Sequence, residues 1–416
     1  MGQEKVLMVI IDDRQKKSWG LEEIAKELKA CVEACHGVVV DQILCRMDRP
    51  HPAHLIGEGK VDQIASVCAA NSIDTVVFSR NLKGSQQRNL EDKLEVKTID
   101  HTQLILDIFA KRATSQEGKM QVELAQLEYL LPRLVGKGIA LSRLGGGIGT
   151  LGPGETKLEI DRRRIAQRIT KLKNALKNVA SNRKLKRKKR QEQGIPLISL
   201  VGYTNAGKST LLNALTQAGQ VTRDGLFTTL DSLSRQLILP NRQKVVLSDT
   251  VGFMHELPHD LIEAFKATLE EVREADILLH VLDVSHPHYR HLEEAVNDVL
   301  AELEVHDKPS ILVLNKIDQI ADRNLVERLL KRMENSVAVS AKTQENIDTL
   351  IERLMEELSS RVTEIDVTLP ITRMDLVSRA HREGQVYSVK YYNDTVHLRA
   401  ALPKKLAGIL EKENIS

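Results

Sequence analysis

Short apolar runs alternate with helical periods over the first hundred or so residues. KVLMVIID, VVVDQIL, DTVVFS and LEVKTI read as strands, with helical patterns around 21–35, 60–70, 84–93 and 101–112. Such alternation predicts an α/β layer on a mostly parallel sheet. From Gly118 the period changes. Leu124, Leu127, Leu131 and Leu134 follow a helical spacing, and Leu158, Ile165, Ile169, Leu172, Leu176 and Val179 follow a heptad-like seam. Two helices of this kind form an antiparallel hairpin, each burying its stripe against the other. The second, over 156–190, would run about 50 Å, and Pro132 should kink or end the first. Further on, PLISLV, KVVLSD, SILVLN and SVAVS each stop at a polar loop. They read as strands of a second, mostly parallel sheet. The tail reads as β-α-β-β-α, with strands near 363–369, 385–391 and 395–401. The expected architecture is multidomain α/β: an N-terminal α/β domain (1–114), a basic helical hairpin with a glycine-rich tip (115–192), a domain built on the second, mostly parallel sheet (195–360) and a small α+β domain (361–416).

Charge sharpens that picture. The chain has 416 residues and a net charge of +3, yet Arg162–Arg190 holds fourteen basic residues and no acidic one. That segment at +14 leaves the remainder at −11. Unbroken positive charge over this length favours a polyanion partner over a mixed solvated face. Aromatics are only 3% of the chain, which argues against a stacking platform for single strands. No apolar run reaches the roughly 20 residues needed to span a bilayer, and the N-terminus reads as a strand rather than a signal. The four cysteines lie in the first 70 residues without zinc spacing, so structural thiols and a cytosolic location are expected.

Two glycine motifs compete for the chemistry. Gly147, Gly149 and Gly152 satisfy GxGxxG, but they follow a helical pattern and precede a solidly basic segment. A dinucleotide loop needs a strand before it and an acidic residue about 20 positions on. The expectation is a tip that can approach a backbone closely. The turn GEGK at 57–60 can offer N–H groups to an anion, although a plain helix entry suffices.

The second motif meets its requirements. Gly202-Tyr203-Thr204-Asn205-Ala206-Gly207-Lys208-Ser209 lies between a strand and a helical pattern. Its backbone would cradle phosphates, Lys208 would reach the β- and γ-phosphates, and Ser209 would ligate Mg²⁺. Asp249-Thr250-Val251-Gly252 places a carboxylate near Mg²⁺ and an N–H near the γ-phosphate. In Asn315-Lys316-Ile317-Asp318 the last carboxylate can accept guanine N1–H and N2–H₂, which adenine cannot supply. Ser340-Ala341-Lys342 adds a backbone contact to guanine O6. The ligand expected is GTP. Between these motifs lies Phe227-Thr228-Thr229-Leu230-Asp231, where either threonine can cap Mg²⁺. Phe253 stands where many GTPases place a water-orienting glutamine, so intrinsic hydrolysis should be slow or rely on another group, with a non-hydrolysing switch as the alternative. Asn205 offers an amide to a K⁺ ion near the β–γ bridge, with a simple loop hydrogen bond as the alternative.

With HLIGEGK, GGGIGTLGPGETKLEIDRRR, GYTNAGKST, LFTTLD, DTVGF and NKID together, the chain resembles the HflX family of ribosome-associated GTPases over nearly its whole length. The resemblance selects Thr229 as the switch threonine, a second ligand for Mg²⁺ beside Ser209. It implies a catalytic set of Lys208, Thr229 and Gly252, a monomer without stable membrane insertion, and binding to the 50S subunit with the arm reaching 23S rRNA in the peptidyl-transferase region. It also implies separation of stalled or idle 70S particles in the GTP-bound state, with hydrolysis to GDP and phosphate stimulated by the ribosome. An RNA-binding assembly or surveillance factor that uses GTP as a timer is the other reading.

Overall fold

The computed structural model describes residues 3–13, 20–134, 157–216, 233–254, 266–359 and 362–415. The chain forms two compact units, one drawn mainly from Met1–Val179 and the other mainly from Ala180–Ser416.

In the first unit, β1 (Lys5–Asp13), α1 (Leu21–Ala34), β2 (Val38–Met47), α2 (Glu58–Asn71), β3 (Thr75–Phe78), α3 (Gly84–Leu94), β4 (Lys97–Asp100) and α4 (His101–Arg112) alternate. The sheet order is β2-β1-β3-β4, with every pairing parallel. Its apolar runs supply Leu7, Val9, Ile43, Val76 and Phe78 to a core that Ile64 of α2 joins. The expected strand LEVKTI starts later than its apolar pattern suggests. Leu94 ends α3, Glu95 turns left-handed at φ 55°, and β4 begins only at Lys97. Gly57 is the N-cap of α2, so the GEGK turn is a helix entry.

The middle region begins with α5 (Gln116–Leu130), capped by Ser115, whose side chain accepts from the Gly118 N–H. Pro132 falls in a 3₁₀ turn over Leu131–Leu134, where its missing N–H and fixed φ end the α-helix. Arg133 anchors this turn. Its guanidinium lies 3.4 Å from the Tyr129 ring centre, donates to Leu82 O and pairs with the fully buried Asp100 at 3.2 Å. The long helix α6 (Lys157–Glu192) has 36 residues, about 54 Å at 1.5 Å per residue. Ile165, Ile169 and Leu176 are half-buried and Leu172 buried, and every immediate neighbour of these four except the half-buried Ala175 is exposed. The heptad seam is therefore real over these residues. The glycine-rich tip lies outside the described residues.

The second unit is built on β5 (Leu197–Gly202), α7 (Lys208–Thr216), β6 (Leu233–Ile238), β7 (Lys244–Asp249), α8 (Lys266–Arg273), β8 (Ile277–Asp283), α9 (Tyr289–Glu302), β9 (Ser310–Asn315), α10 (Arg323–Arg332), β10 (Ser336–Ala338) and α11 (Ile347–Ser359). The strand order is β10-β9-β8-β5-β7-β6, parallel except for β6 against β7. Continuous apolar runs suit strands covered on both faces, and β5 is buried at all six positions. The C-terminal module follows as β11 (Val362–Pro370), α12 (Met374–Glu383), β12 (Gln385–Tyr391), β13 (Thr395–Pro403) and α13 (Lys404–Lys412). Its antiparallel sheet, β11-β13-β12, shares one core with both helices. No described helix is long and apolar enough to cross a membrane.

Candidate nucleotide-binding site

Parallel strands deliver their loops to one edge of a sheet, the edge where open α/β sheets bind ligands. Here β5, β7, β9 and β10 all end there. Their loops carry 202–209, 249–252, 315–318 and 340–342, so these motifs meet although up to 140 positions separate them.

The turn after β5 needs its glycines. Gly202 has φ 153°, and a Cβ there would sit 2.3 Å from Val281 O on β8. Gly207 has φ 95°, and its Cβ would lie 2.3 Å from Asn315 Nδ2. Between them Asn205 is exposed and left-handed at φ 60°, a region that asparagine tolerates. Thr204 and Ala206 are buried; Tyr203 bridges to Phe253.

Lys208 begins α7 with only 6% of its surface exposed. Its ammonium donates to Gly202 O at 2.9 Å and Tyr203 O at 2.8 Å. Burial pulls its pKa down to about 8, against the opposing pull of Asp249. A desolvated cation with two donors tied back to the loop has one donor left for a phosphate oxygen. Ser209 Oγ donates to Asp249 Oδ2 at 2.6 Å. A hydroxyl and a carboxylate this close are hard oxygen donors, a set that suits Mg²⁺.

Beyond Asp249, Thr250 is buried and donates from Oγ1 to Leu200 O at 2.7 Å. Val251 is buried too. Gly252 leaves no room for a side chain, because a Cβ would lie 2.8 Å from Thr204 Cα and 3.0 Å from Lys208 Nζ. Phe253 is 1% exposed. Its N–H donates to Gly202 O and its carbonyl accepts from Thr204 N, so it clamps the phosphate loop and turns no polar group toward a ligand.

The base end is as tightly tied. Asn315, buried, donates to Ala206 O at 2.8 Å and accepts from Ala341 N at 3.0 Å. One amide thus joins three loops. Ser340 Oγ donates to Asp318 Oδ1 at 2.7 Å and accepts from Thr343 N, which orients the exposed Asp318 carboxylate. Lys316 is left-handed at φ 67°. Ile317 is buried, and Lys342 is exposed. Phe227, Thr228, Thr229, Leu230 and Asp231 lie outside the described residues.

Three features went unread in the sequence. Asp283, at the end of β8, pairs with Lys316 at 2.6 Å; a carboxylate closing an apolar strand that lies between two motif-bearing strands, β5 and β9, was the available signal. His280 is buried on β8, and burial beside Lys208 pushes its imidazole down to about 4, so it is uncharged at neutral pH. The third corrects the view of 162–190 as unbroken free charge. Arg168 pairs with Glu123 at 2.7 Å and Lys173 with Glu128 at 2.7 Å. Lower on α6, Arg187 lies 2.9 Å from Glu270 and 3.7 Å from Glu274 on and just after α8, with Arg183 at 3.6 Å from Glu270. Part of the basic arm is neutralised within the fold.

Comparison with known proteins places this site in context. Four family descriptions match in order: GTP-binding GTPase N-terminal over residues 22–110, GTP-binding GTPase Middle Region over 112–190, 50S ribosome-binding GTPase over 197–316, and HflX C-terminal domain over 324–413. A GTPase HflX of Caldanaerobacter subterraneus subsp. tengcongensis is 44% identical over 91% of this chain and 87% of its own. The GTPase HflX of Escherichia coli is 42% identical over 92% and 89%. Among solved structures, the GDP complex of SsGBP covers 85% of this chain and 98% of its own, at 27% identity and a TM-score of 0.48. The loop set and the matches along nearly the whole length agree: the chain belongs to the HflX family of GTPases, enzymes that hydrolyse GTP.

Proposed function

We propose that this GTPase binds the 50S subunit through its basic arm and, with GTP bound, separates stalled or idle 70S ribosomes. The observation that carries the proposal is the pairing of a complete four-loop nucleotide edge with a long helix that keeps an exposed basic surface. Arg162, Lys171, Lys184 and Lys188 are all exposed on α6. In this reading 115–192 is the ribosome-facing arm, 195–360 the nucleotide domain, and 1–114 and 361–416 the flanking domains. The arm meets 23S rRNA, the protein acts as a monomer in the cytoplasm, and the glycine tip reaches its pocket by offering backbone rather than side chains.

At the nucleotide edge, residues 202–209 hold the α- and β-phosphates, and Asn315, Lys316, Ile317, Asp318 and 340–342 hold guanine. Ser209 and Thr229 hold Mg²⁺, with Asp249 behind Ser209. Bound there, Mg²⁺ would supply positive charge to the phosphates. Lys208 stabilises the charge that develops on the transferring phosphoryl group, and the Gly252 N–H hydrogen-bonds a γ-oxygen. Phe227, Thr228, Leu230 and Asp231 belong to the same motif as Thr229, and Thr250 and Val251 carry the chain from Asp249 to Gly252. Buried Phe253 cannot orient water, so alignment of the attacking water comes from ordering by the ribosome. The Asn205 amide would hold a K⁺ ion, which would supply further positive charge to the phosphates; equal turnover in K⁺ and Na⁺ removes that ion from the account.

The arm has its own test. Neutralising Arg162, Lys171, Lys184 and Lys188 should weaken 50S binding and flatten its dependence on salt, by up to about 0.9 in the log–log slope per lost phosphate contact on duplex DNA, and less on irregular RNA. Neutralising Arg168 and Lys173 should leave the slope nearly unchanged, because each already faces a carboxylate. Shortening 145–154 should likewise spare the slope and abolish 70S separation. Equal slopes for the four-residue variant and the parent would reject the arm as the RNA contact.

A further inference from the structure

We propose that Asp283 is a positioning residue for the guanine site, holding Lys316 in place and so setting how long nucleotide stays bound. The inference rests on the reading of 315–318 as the guanine loop.

Asp283 is the last residue of β8 and lies in register with Asn315 on β9. The next residue continues the stitch, Val284 N donating to Asn315 O at 3.2 Å. The carboxylate divides its oxygens. Oδ1 accepts from Ser285 N at 3.1 Å and Ser285 Oγ at 2.5 Å, while Oδ2 meets Lys316 Nζ at 2.6 Å. Both side chains are largely sheltered, Asp283 at 15% exposure and Lys316 at 21%.

Lys316 needs such a partner. It occupies a left-handed position between Asn315, which ties the phosphate loop to 341, and Asp318. Its four methylenes would otherwise sample many rotamers. With the ammonium fixed, the stem has one course beside the base loop. Asp318 selects guanine through hydrogen bonds; Asp283 touches no nucleotide and acts only by keeping Lys316 ordered. Its loss should therefore shorten residence time without changing which base is preferred.

The rival is that Asp283 only shapes the turn after β8 through Ser285. Asp283→Asn separates the two, since an amide oxygen still accepts from Ser285 while the charge facing Lys316 is gone. The experiment measures release of fluorescent GDP from the full chain for Asp283→Asn, Lys316→Met and the double variant, with GTP-against-XTP preference measured alongside. Release should quicken about tenfold in Asp283→Asn, the scale of one charge-assisted hydrogen bond, with base preference unchanged. The double variant should release no faster than Lys316→Met alone. Parental release by Asp283→Asn, or independent effects that multiply in the double variant, overturns the proposal. If Asp318→Asn still loses guanine preference in that case, the guanine reading stands and only the role of Asp283 falls.

Discussion

Lys208→Ala lowers GTP turnover about a thousandfold, the upper range for removing a single preorganised donor from a developing oxyanion, because this lysine is the one cation that the phosphate loop itself presents. Its ammonium is enclosed by Gly202 O, Tyr203 O and the space under Gly252, and a neutral water in the vacated space would bring no charge to the phosphates. The variant should remain folded, since burial already disfavours the charged form and pulls its pKa to about 8. Phosphate release on 50S subunits, paired with a melting curve, reads both points. Parental turnover by a folded Lys208→Ala protein would place the catalytic site elsewhere.

Asp318→Asn changes the base rather than the rate. Ser340 holds one carboxylate oxygen at 2.7 Å and so fixes the plane of the group. Guanine offers two donors to that plane, and the amide replaces an acceptor with a donor that opposes them. An unmatched hydrogen-bond site discriminates by about 10⁴, so GTP affinity should drop by roughly three to four orders of magnitude. XTP, whose 2-oxo group accepts where guanine donates, should gain. Titration with fluorescent GTP and XTP checks both directions, and undiminished GTP binding would contradict the guanine assignment.

Much of this arrangement is legible in the sequence because each motif is local. β5, β7, β9 and β10 announce themselves as apolar runs, and each stops where its loop residues begin. The α6 pattern predicts 156–190 and the helix spans Lys157–Glu192. Pro132 ends α5 as its chemistry requires. What the sequence hides is pairing at a distance. Arg168 meets a carboxylate 45 positions away and Arg187 one 83 positions away, so a charge count along the chain overstates the free charge of the arm. Asn315 reaches Ala206 across 109 positions, and nothing local to either residue shows it. Phe253 illustrates the same limit: its side chain type excludes a water-orienting role, but only the fold shows it buried as a clamp on the phosphate loop.

The central claim is that GTP occupancy of this loop edge drives ribosome separation through the arm, and sedimentation of 70S particles through a sucrose gradient tests it. With the parent protein and a non-hydrolysable GTP analogue, the 70S peak should give way to 30S and 50S peaks, with protein on the 50S. With GDP, or with Lys208→Ala, the 70S peak should persist. Intact 70S particles with the parent and the analogue, and protein found only on free 50S subunits or their precursors, would contradict the claim and favour an assembly or surveillance factor that uses GTP as a timer.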